Sequence, residues 1–350
     1  MNLHSLPDLR AHLLAGQAIP ALPLALDRRR RWSERHQRAV ARYYLDAGVG
    51  GIAVGVHSTQ FAIRDPRHGL YEPVLALAAG TMADWPAATR RPVARIAGLC
   101  GRTPQALRET ALARRLGYHA GLLSLGAWKN DPERAIVRHC AAVAREIPVI
   151  GFYLQPAVGG RVLSHRFWCE FAAIPGVVAV KIAPFNRYQT LDVVRAVIDA
   201  GRDDVALYTG NDDNIIGDLL TRFEHAGKTR HIVGGLLGQW GVWTERAVAL
   251  LREIKQARNR VTLDRLWLSR NAALTDANAA IFDPAHGFAG CLPGIHLILQ
   301  RQGLLPSTVC LNPHERLFPG QAAEIDRVTR AYPWLVDSSF VQANVQRWLA

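Results

Sequence analysis

The chain has 350 residues, of which 49% are hydrophobic and 20% are charged, and its formal net charge is +13. This composition is typical of a soluble globular protein, and no apolar run approaches the ~18 residues that a membrane span requires. The basic excess is densest at residues 28–42, but no recognisable nucleic-acid motif accompanies it, so we expect no nucleic-acid partner and no membrane partner.

The five cysteines are scattered along the chain, with no Cys-x-x-Cys pair. An odd, unclustered count without a recognisable signal peptide predicts reduced thiols in a cytoplasmic protein. Asp212 and Asp213 are adjacent, but no further carboxylate or histidine at ligand spacing supports a metal site there. We therefore expect a mechanism without a metal or a cofactor.

Short apolar runs alternate with amphipathic segments along most of the chain. Most of the apolar runs are continuous, which is typical of parallel strands covered on both faces. An extra helix is predicted at 71–79, within the long connection 60–92. Eight strands are predicted at residues 18–26, 51–56, 93–98, 119–125, 148–154, 177–182, 205–209 and 231–236. Seven helices are predicted at residues 33–46, 103–116, 132–146, 165–173, 188–200, 214–226 and 244–257.

This alternation favours an α/β protein with a (β/α)8 TIM barrel over an open doubly wound sheet. The usual marker of the open sheet, Gly-x-Gly-x-x-Gly after the first strand, is absent. Beyond residue 258 the strands end, and helices are predicted at 260–282, 292–303, 321–331 and 338–349. We therefore predict a barrel domain at 1–258 and a C-terminal helical appendage at 259–350, packed on the barrel.

Lys181 closes the apolar run that begins at Val177. Burying an ammonium group is costly unless it is paired or its pKa falls, and a neutral amine can attack a carbonyl to form a Schiff base. A strand-ending lysine that extends to solvent is the competing interpretation. Because active sites of (β/α)8 barrels lie at the C-terminal ends of the strands, the position of Lys181 favours catalysis.

Tyr153 lies near the end of the strand before that of Lys181. Neighbouring strands lie about 5 Å apart, so both side chains are predicted to face one small carbonyl compound. In that arrangement the tyrosine hydroxyl would relay protons. A half-buried aromatic ring with its hydroxyl in water is the alternative.

Two runs, IPVIGFYLQP at 147–156 and IPGVVAVK at 174–181, resemble the dihydrodipicolinate synthase/N-acetylneuraminate lyase family. In that family a tyrosine ends strand five and a lysine ends strand six. Further similarities are AGLCG at 97–101, GND at 210–212 and GGLLG at 234–238. The resemblance covers roughly residues 15–260, and the spacing of Tyr153 and Lys181 is its most specific part.

The resemblance implies a class I aldolase in which Lys181 attacks the ketone of a 2-oxo acid such as pyruvate. The resulting imine is an electron sink for breaking the adjacent carbon–carbon bond, while Tyr153 relays protons. It also implies a homo-oligomer, either a tetramer or a dimer. The substrate-binding residues that it implies after strands seven and eight are Gly210, Asn211, Gly234 and Gly235.

The stretch after strand two departs from the family pattern. The family usually has Gly-Thr-Thr-Gly-Glu there, which holds the substrate carboxylate, whereas this chain has GVHSTQ at 55–60. Ser58 and Thr59 are the candidate hydroxyl ligands, and His57 is either an acid/base group facing the pocket or a loop histidine bonded to the backbone. The long strand-two loop and the tail resemble the larger, catabolic members that act on bulkier or aromatic substrates.

The sequence therefore predicts a carbon–carbon lyase of the aldolase or hydratase-aldolase type. A dehydratase of a sugar-derived 2-oxo acid would use the same lysine. A phosphate-binding barrel enzyme without imine chemistry would hold the anion on the glycine turns after strands seven and eight. A binding barrel that has lost catalysis is the third possibility.

Overall fold

A parallel eight-stranded sheet organises the fold. The computed structural model describes residues 2–85 and 91–350. The order in the sheet is β1-β10-β7-β6-β5-β4-β3-β2, and a bridge between Ala21 and Ala53 joins its two edges. The sheet is thus a nearly closed barrel, which confirms the predicted (β/α)8 class. Two further strands, β8 and β9, pair with each other outside this sheet. The strands are β1 (Ala18–Pro20), β2 (Gly51–Val54), β3 (Ala94–Leu99), β4 (Ala120–Leu123), β5 (Val149–Leu154), β6 (Val177–Ala183), β7 (Ala206–Thr209), β8 (Phe223–His225), β9 (Lys228–Arg230) and β10 (Gly234–Leu237).

Helices connect the strands and continue beyond the last one, as predicted. The C-terminal appendage is helical, and within the described ranges its helices have no strands between them. The predicted domain boundary at residue 258 stays a prediction. The α-helices are α1 (Leu6–Leu14), α2 (Glu34–Ala47), α3 (Tyr71–Asp84), α4 (Thr103–Arg115), α5 (Glu133–Ala144), α6 (His165–Ala172), α7 (Arg187–Asp199), α8 (Ile215–Leu220), α9 (Thr244–Arg258), α10 (Leu266–Phe282), α11 (Cys291–Arg301), α12 (Gln321–Ala331) and α13 (Ser338–Leu349).

The helix predicted at 214–226 is wrong in its second half. The helix α8 ends at Leu220, and β8 and β9 follow as an antiparallel hairpin. The hairpin turns at Ala226 and Gly227, whose φ angles are +49° and +73°. Two consecutive residues with positive φ are typical of the tight turns that match the twist of a hairpin.

The helix α1 was not predicted, although its start carries a recognisable signal. The Ser5 hydroxyl accepts a hydrogen bond from the Asp8 amide at 3.3 Å, and a proline lies in the first turn. Leu9 and Leu13 are buried with the residues of the barrel interior. Tyr208 of β7 donates a hydrogen bond to the Leu13 carbonyl at 2.8 Å, so α1 closes the N-terminal end of the barrel.

Residues along a strand generally alternate between the barrel interior and the layer of helices outside. In β5, Ile150 and Phe152 belong to the interior cluster, whereas Val149 and Tyr153 pack in the outer one. This alternation decides which side chains reach the functional cavity.

The tail is fixed to the barrel domain through α2. Tyr43 donates a hydrogen bond to Asp337 at 2.6 Å and accepts one from the Thr244 amide at 2.6 Å. The Trp348 indole N–H donates to Asp46 at 2.6 Å. These buried polar contacts join the first barrel helix to the end of the chain. Within the described residues, no helix has both the length and the apolar character needed to cross a membrane.

The contact between Tyr43 and Asp337 predicts a stability effect. We expect Tyr43→Phe to lower the free energy of unfolding by about 1–3 kcal/mol, because it leaves a buried carboxylate oxygen and the Thr244 amide short of a partner. Tyr188, which is 81% exposed, supplies the matched control Tyr188→Phe, expected to change stability by less than about 0.5 kcal/mol. Urea unfolding of both variants measures this, and equal midpoints would contradict it.

Candidate active site

A cavity of about 70 Å³ opens at the C-terminal ends of the strands, where (β/α)8 barrels carry their active sites. Its wall combines barrel strands, the loops that follow them and the first part of the helical tail. Most of the lining side chains are apolar, and Lys181 and Asp212 are charged groups among them. The lining residues are Ala21, Val56, His57, Ser58, Phe152, Leu154, Gln155, Val158, Lys181, Ala183, Phe185, Gly210, Asp212, Gly238, Phe282, Phe288 and Cys291.

Lys181 enters this cavity from β6. The Nζ atom lies 4.3 Å from the centre of the Phe152 ring, on the neighbouring strand. Burial lowers the pKa of the Lys181 ammonium, and the negative charge of Asp212 partly opposes that shift. A larger fraction of neutral amine is therefore available near neutral pH than for a lysine in water.

Gly210 leaves room for the lysine side chain. A Cβ at this position would lie 2.7 Å from Lys181 Cε and 2.8 Å from Ala183 Cβ, which is closer than side chains pack. The glycine after β7 is therefore required by the path of Lys181. Gly210 also lines the cavity, and its contact with substrate stays a prediction.

Asp212 is the carboxyl group that shares the cavity with Lys181. Burial raises its pKa, and the positive charge of Lys181 opposes this shift. The Gln239 amide donates to its Oδ1 at 3.4 Å, and Asn278 of α10 donates to its carbonyl oxygen at 2.6 Å. A carboxyl with a raised pKa can hold a proton and release it at neutral pH. From the sequence alone, Asp212 in the GND run is indicated only as a possible metal ligand.

Tyr153 faces away from the cavity, which corrects its predicted position. The register of β5 and β6 pairs Phe152 with Lys181 and Tyr153 with Ile182. The Tyr153 ring packs on Trp168 of α6 with centroids 5.0 Å apart. Its hydroxyl exchanges two hydrogen bonds of 3.3–3.4 Å with the backbone of Leu163. The distance between strands does not fix which side chain faces the lysine; the pleat of β5 does, and it places Phe152 there.

The strand-two loop contributes His57 and Ser58 to the cavity, but not Thr59. The Thr59 hydroxyl is buried in the loop, donating to the Leu22 carbonyl at 2.6 Å and accepting from the Gly55 amide at 3.0 Å. Burial, together with the charge of Lys181, lowers the pKa of His57 to about 4. His57 is therefore neutral at pH 7. Of the two interpretations of His57, the structure has the ring at the cavity wall, and an acid/base role stays a prediction.

Asn211 supports the cavity wall from behind instead of lining it. The buried side chain donates to Asp218 at 2.8 Å and accepts from the Phe185 amide at 3.0 Å. Phe185 has a φ of +53°, which is strained for an aromatic residue, so this hydrogen bond helps to fix it. The predicted direct role of Asn211 in substrate binding is therefore wrong.

Gly234 and Gly235 also lie outside the cavity. A Cβ on Gly234 would lie 2.5 Å from the Gln17 carbonyl, and one on Gly235 would lie 2.6 Å from Trp240. Both glycines are explained by close packing of β10 against its neighbours. Gly238, at the end of the same glycine run, lines the cavity in their place.

The tail contributes three lining residues that sequence analysis missed. Phe282 and Phe288 supply apolar surface, and the Phe288 ring meets Phe185 edge-on with centroids 5.6 Å apart. Cys291 begins α11, and burial raises the pKa of its thiol well above the usual range, so the thiol is neutral. No sequence signal marks these residues, because they become neighbours of Lys181 only through the packing of the tail.

No protein-family model matches the chain. The sequence is similar to the 4-hydroxy-tetrahydrodipicolinate synthase of Alcanivorax borkumensis, with 28% identity over 188 residues, covering 52% of this chain and 58% of the relative. The corresponding enzyme of Methylococcus capsulatus is 29% identical over 180 residues, covering 50% of this chain and 56% of the relative. The chain thus spans little more than half the length of these relatives.

The fold is similar to that of several solved structures. A monomeric dihydrodipicolinate synthase variant superposes with a TM-score of 0.72 at 14% identity, covering 92% of this chain and 98% of that chain. The N-acetylneuraminate lyase of Fusobacterium nucleatum superposes with a TM-score of 0.70 at 16% identity, covering 91% and 99%. At these identities the likeness shows a shared fold. With the sequence matches it confirms the predicted resemblance to the dihydrodipicolinate synthase/N-acetylneuraminate lyase family, at low sequence identity.

The close approach at Gly210 predicts a cost for any larger residue. We expect Gly210→Ala to lower the free energy of unfolding by about 1–3 kcal/mol, because the new methyl group overlaps Lys181 and Ala183. Gly80 in α3 has no atom near its absent Cβ, so Gly80→Ala is the matched control and should be neutral or stabilising by up to about 1 kcal/mol. Denaturant unfolding distinguishes the two, and a neutral Gly210→Ala would contradict the packing argument.

Proposed function

We propose that this protein is a Schiff-base-forming lyase that makes or breaks a carbon–carbon bond adjacent to a 2-oxo acid, with Lys181 as the nucleophile. The observation that carries the proposal is the pair of Lys181 and Asp212 in one small, mostly apolar cavity. The similarity to 4-hydroxy-tetrahydrodipicolinate synthases and the fold shared with an N-acetylneuraminate lyase support it.

The reaction begins with the neutral Lys181 amine attacking the ketone carbon of the substrate. Loss of the carbinolamine hydroxyl as water requires a proton donor, and a protonated Asp212 is the carboxyl group that the cavity offers. The protonated imine then accepts the electron pair of the adjacent C–C or C–H bond as that bond breaks, forming an enamine. Asp212 takes the proton-relay role that the resemblance assigns to Tyr153, because the Tyr153 hydroxyl faces away from the cavity and is hydrogen-bonded to the Leu163 backbone.

The substrate is a 2-oxo acid whose far end is apolar or aromatic. Ser58 provides a hydroxyl at the cavity wall for the carboxylate, next to the neutral His57. A second cavity of about 90 Å³ adjoins the first through Asp212 and a set of phenylalanine rings, which would cover the far half of the molecule. One of the solved structures with this fold, a prophage protein from E. coli K12, is in complex with pyruvate (TM-score 0.71 at 15% identity, covering 91% of this chain and 99% of that chain).

A phosphate-binding enzyme fits the cavity less well. Lys181 would have to hold the dianion beside the carboxylate of Asp212, and Gly234 and Gly235 lie outside the cavity. A dehydratase that uses the same lysine differs only in which bond breaks next to the imine, and it shares the first steps of the proposal. A homo-oligomeric assembly and a cytoplasmic location stay predictions, and one protein with this fold is a monomeric variant.

Imine formation on Lys181 can be tested by borohydride trapping. With pyruvate or a small panel of 2-oxo acids, we expect a reduced adduct on the Lys181 peptide, detected by intact mass and peptide mapping. The trapping rate should rise with pH through the pKa of Lys181, which burial places below the ordinary value of 10.5, because only the neutral amine reacts. Lys181→Arg should abolish the adduct, and Lys228→Arg, on the exposed hairpin, should leave it unchanged. Folded protein that traps no 2-oxo acid would refute the proposal.

The relay role of Asp212 predicts a contrast between two conservative variants. We expect Asp212→Asn to slow proton exchange at the carbon next to the imine by about 10²–10⁴-fold, whereas Tyr153→Phe leaves exchange unchanged and costs at most about 1–2 kcal/mol of stability. The readout is deuterium incorporation into the best-trapped 2-oxo acid, followed by NMR, with circular dichroism to confirm folding. The reverse pattern would return the relay to Tyr153.

A further inference from the structure

A cluster of metal-ligating side chains lies outside the catalytic cavity. His165 and Cys169 occupy successive turns of α6, Asp199 ends α7, and His225 ends β8 of the hairpin. None of the four lines the cavity at Lys181. They join three elements that are distant in sequence.

We propose that His165, Cys169 and Asp199 form a binding site for a divalent transition-metal ion of the zinc class. His165 Nε2 lies 3.0 Å from Asp199 Oδ2 and 3.9 Å from Cys169 Sγ, and one ligand atom from each residue lies within 4.8 Å of the other two. A tetrahedral zinc ion with bonds of about 2.0–2.3 Å requires ligand atoms roughly 3.3–3.8 Å apart. Small side-chain rotations therefore bring the three atoms to coordination distance.

The ligand types specify the kind of metal. Thiolate and imidazole ligands favour zinc, cobalt and nickel, whereas magnesium and calcium prefer oxygen ligands alone. One thiolate and one carboxylate together balance the charge of a divalent ion. Binding displaces the thiol proton of Cys169 to solvent, so affinity should increase with pH. The three protein ligands leave a fourth position for water.

His225 supports the site from the second coordination shell. Its Nε2 atom lies 2.7 Å from Asp199 Oδ1, the carboxylate oxygen that does not face His165. Hydrogen bonds of this kind orient a metal-binding carboxylate. Through this contact, an ion on α6 and α7 would also fix the hairpin of β8 and β9. We therefore assign the ion the role of holding α6, α7 and the hairpin together, independent of the lyase proposal.

Cobalt(II) titration of the full-length, metal-depleted protein tests the site directly. We expect one equivalent to bind with a thiolate-to-cobalt charge-transfer band in the near ultraviolet and the intense visible bands of tetrahedral cobalt. Cys169→Ser should remove the charge-transfer band. Cys100→Ser, which changes another partly exposed cysteine that is not part of the cluster, should retain it. His225→Ala should weaken cobalt binding roughly 10–100-fold while the band keeps its position.

Zinc and magnesium are then added as competing ions. Zinc should displace cobalt and raise the Tm of the wild-type protein but not that of Cys169→Ser, whereas magnesium should do neither. Three results would overturn the proposal: a folded wild-type protein without a charge-transfer band, a band that persists in Cys169→Ser, or displacement of cobalt by magnesium. If Cys169→Ser fails to fold, Asp199→Asn replaces it, with weaker cobalt binding expected and unchanged binding contradicting the site.

Discussion

The structure of the site depends on burying the Lys181 ammonium beside the Asp212 carboxyl in a cavity whose other walls are mostly apolar. Low polarity disfavours both charged forms, while each charge favours the other. The two opposing effects leave both groups able to exchange protons near neutral pH. Neither group alone would do so, because an isolated buried charge is too costly and a solvated lysine stays protonated.

The size and the contacts of the residues around Lys181 and Asp212 are those that hold this pair in place. Gly210 is small because the lysine side chain occupies the space of a Cβ. Phe152, from the interior face of the neighbouring strand, presents its ring to the lysine nitrogen. Asp212 is held by contacts from Gln239 and from Asn278, so its position depends on the tail as well as on the barrel. Lys181 is therefore positioned by the barrel strands, whereas Asp212 is positioned by both the barrel and the tail.

The fold was largely predictable from the sequence because its signals are repeated and local. Continuous apolar runs indicate parallel strands, and the order of the elements leaves few alternatives to a barrel. Predictions failed where one short signal decided the structure: Ala226 and Gly227 turn a hairpin in a segment that reads as helix, and a serine cap begins α1. In the hairpin segment the helical pattern is too short to outweigh the turn. In α1 the helical pattern is too short to be recognised from the sequence.

The structure places Lys181 in the cavity, where family spacing and strand position both predict it, whereas several of its neighbours there were not predicted. Phe152 faces the cavity, and Tyr153, the next residue, faces the opposite side of the strand. When both faces of a strand are apolar, the sequence does not indicate which residues point to which face. Cys291 and Phe288 lie more than 100 residues beyond Lys181, so only tertiary packing makes them neighbours. The tail therefore forms part of the cavity wall, and it supplies much of the aromatic surface there. Under the proposed imine chemistry, substrate preference should thus vary with the tail, whereas the nucleophile belongs to the barrel.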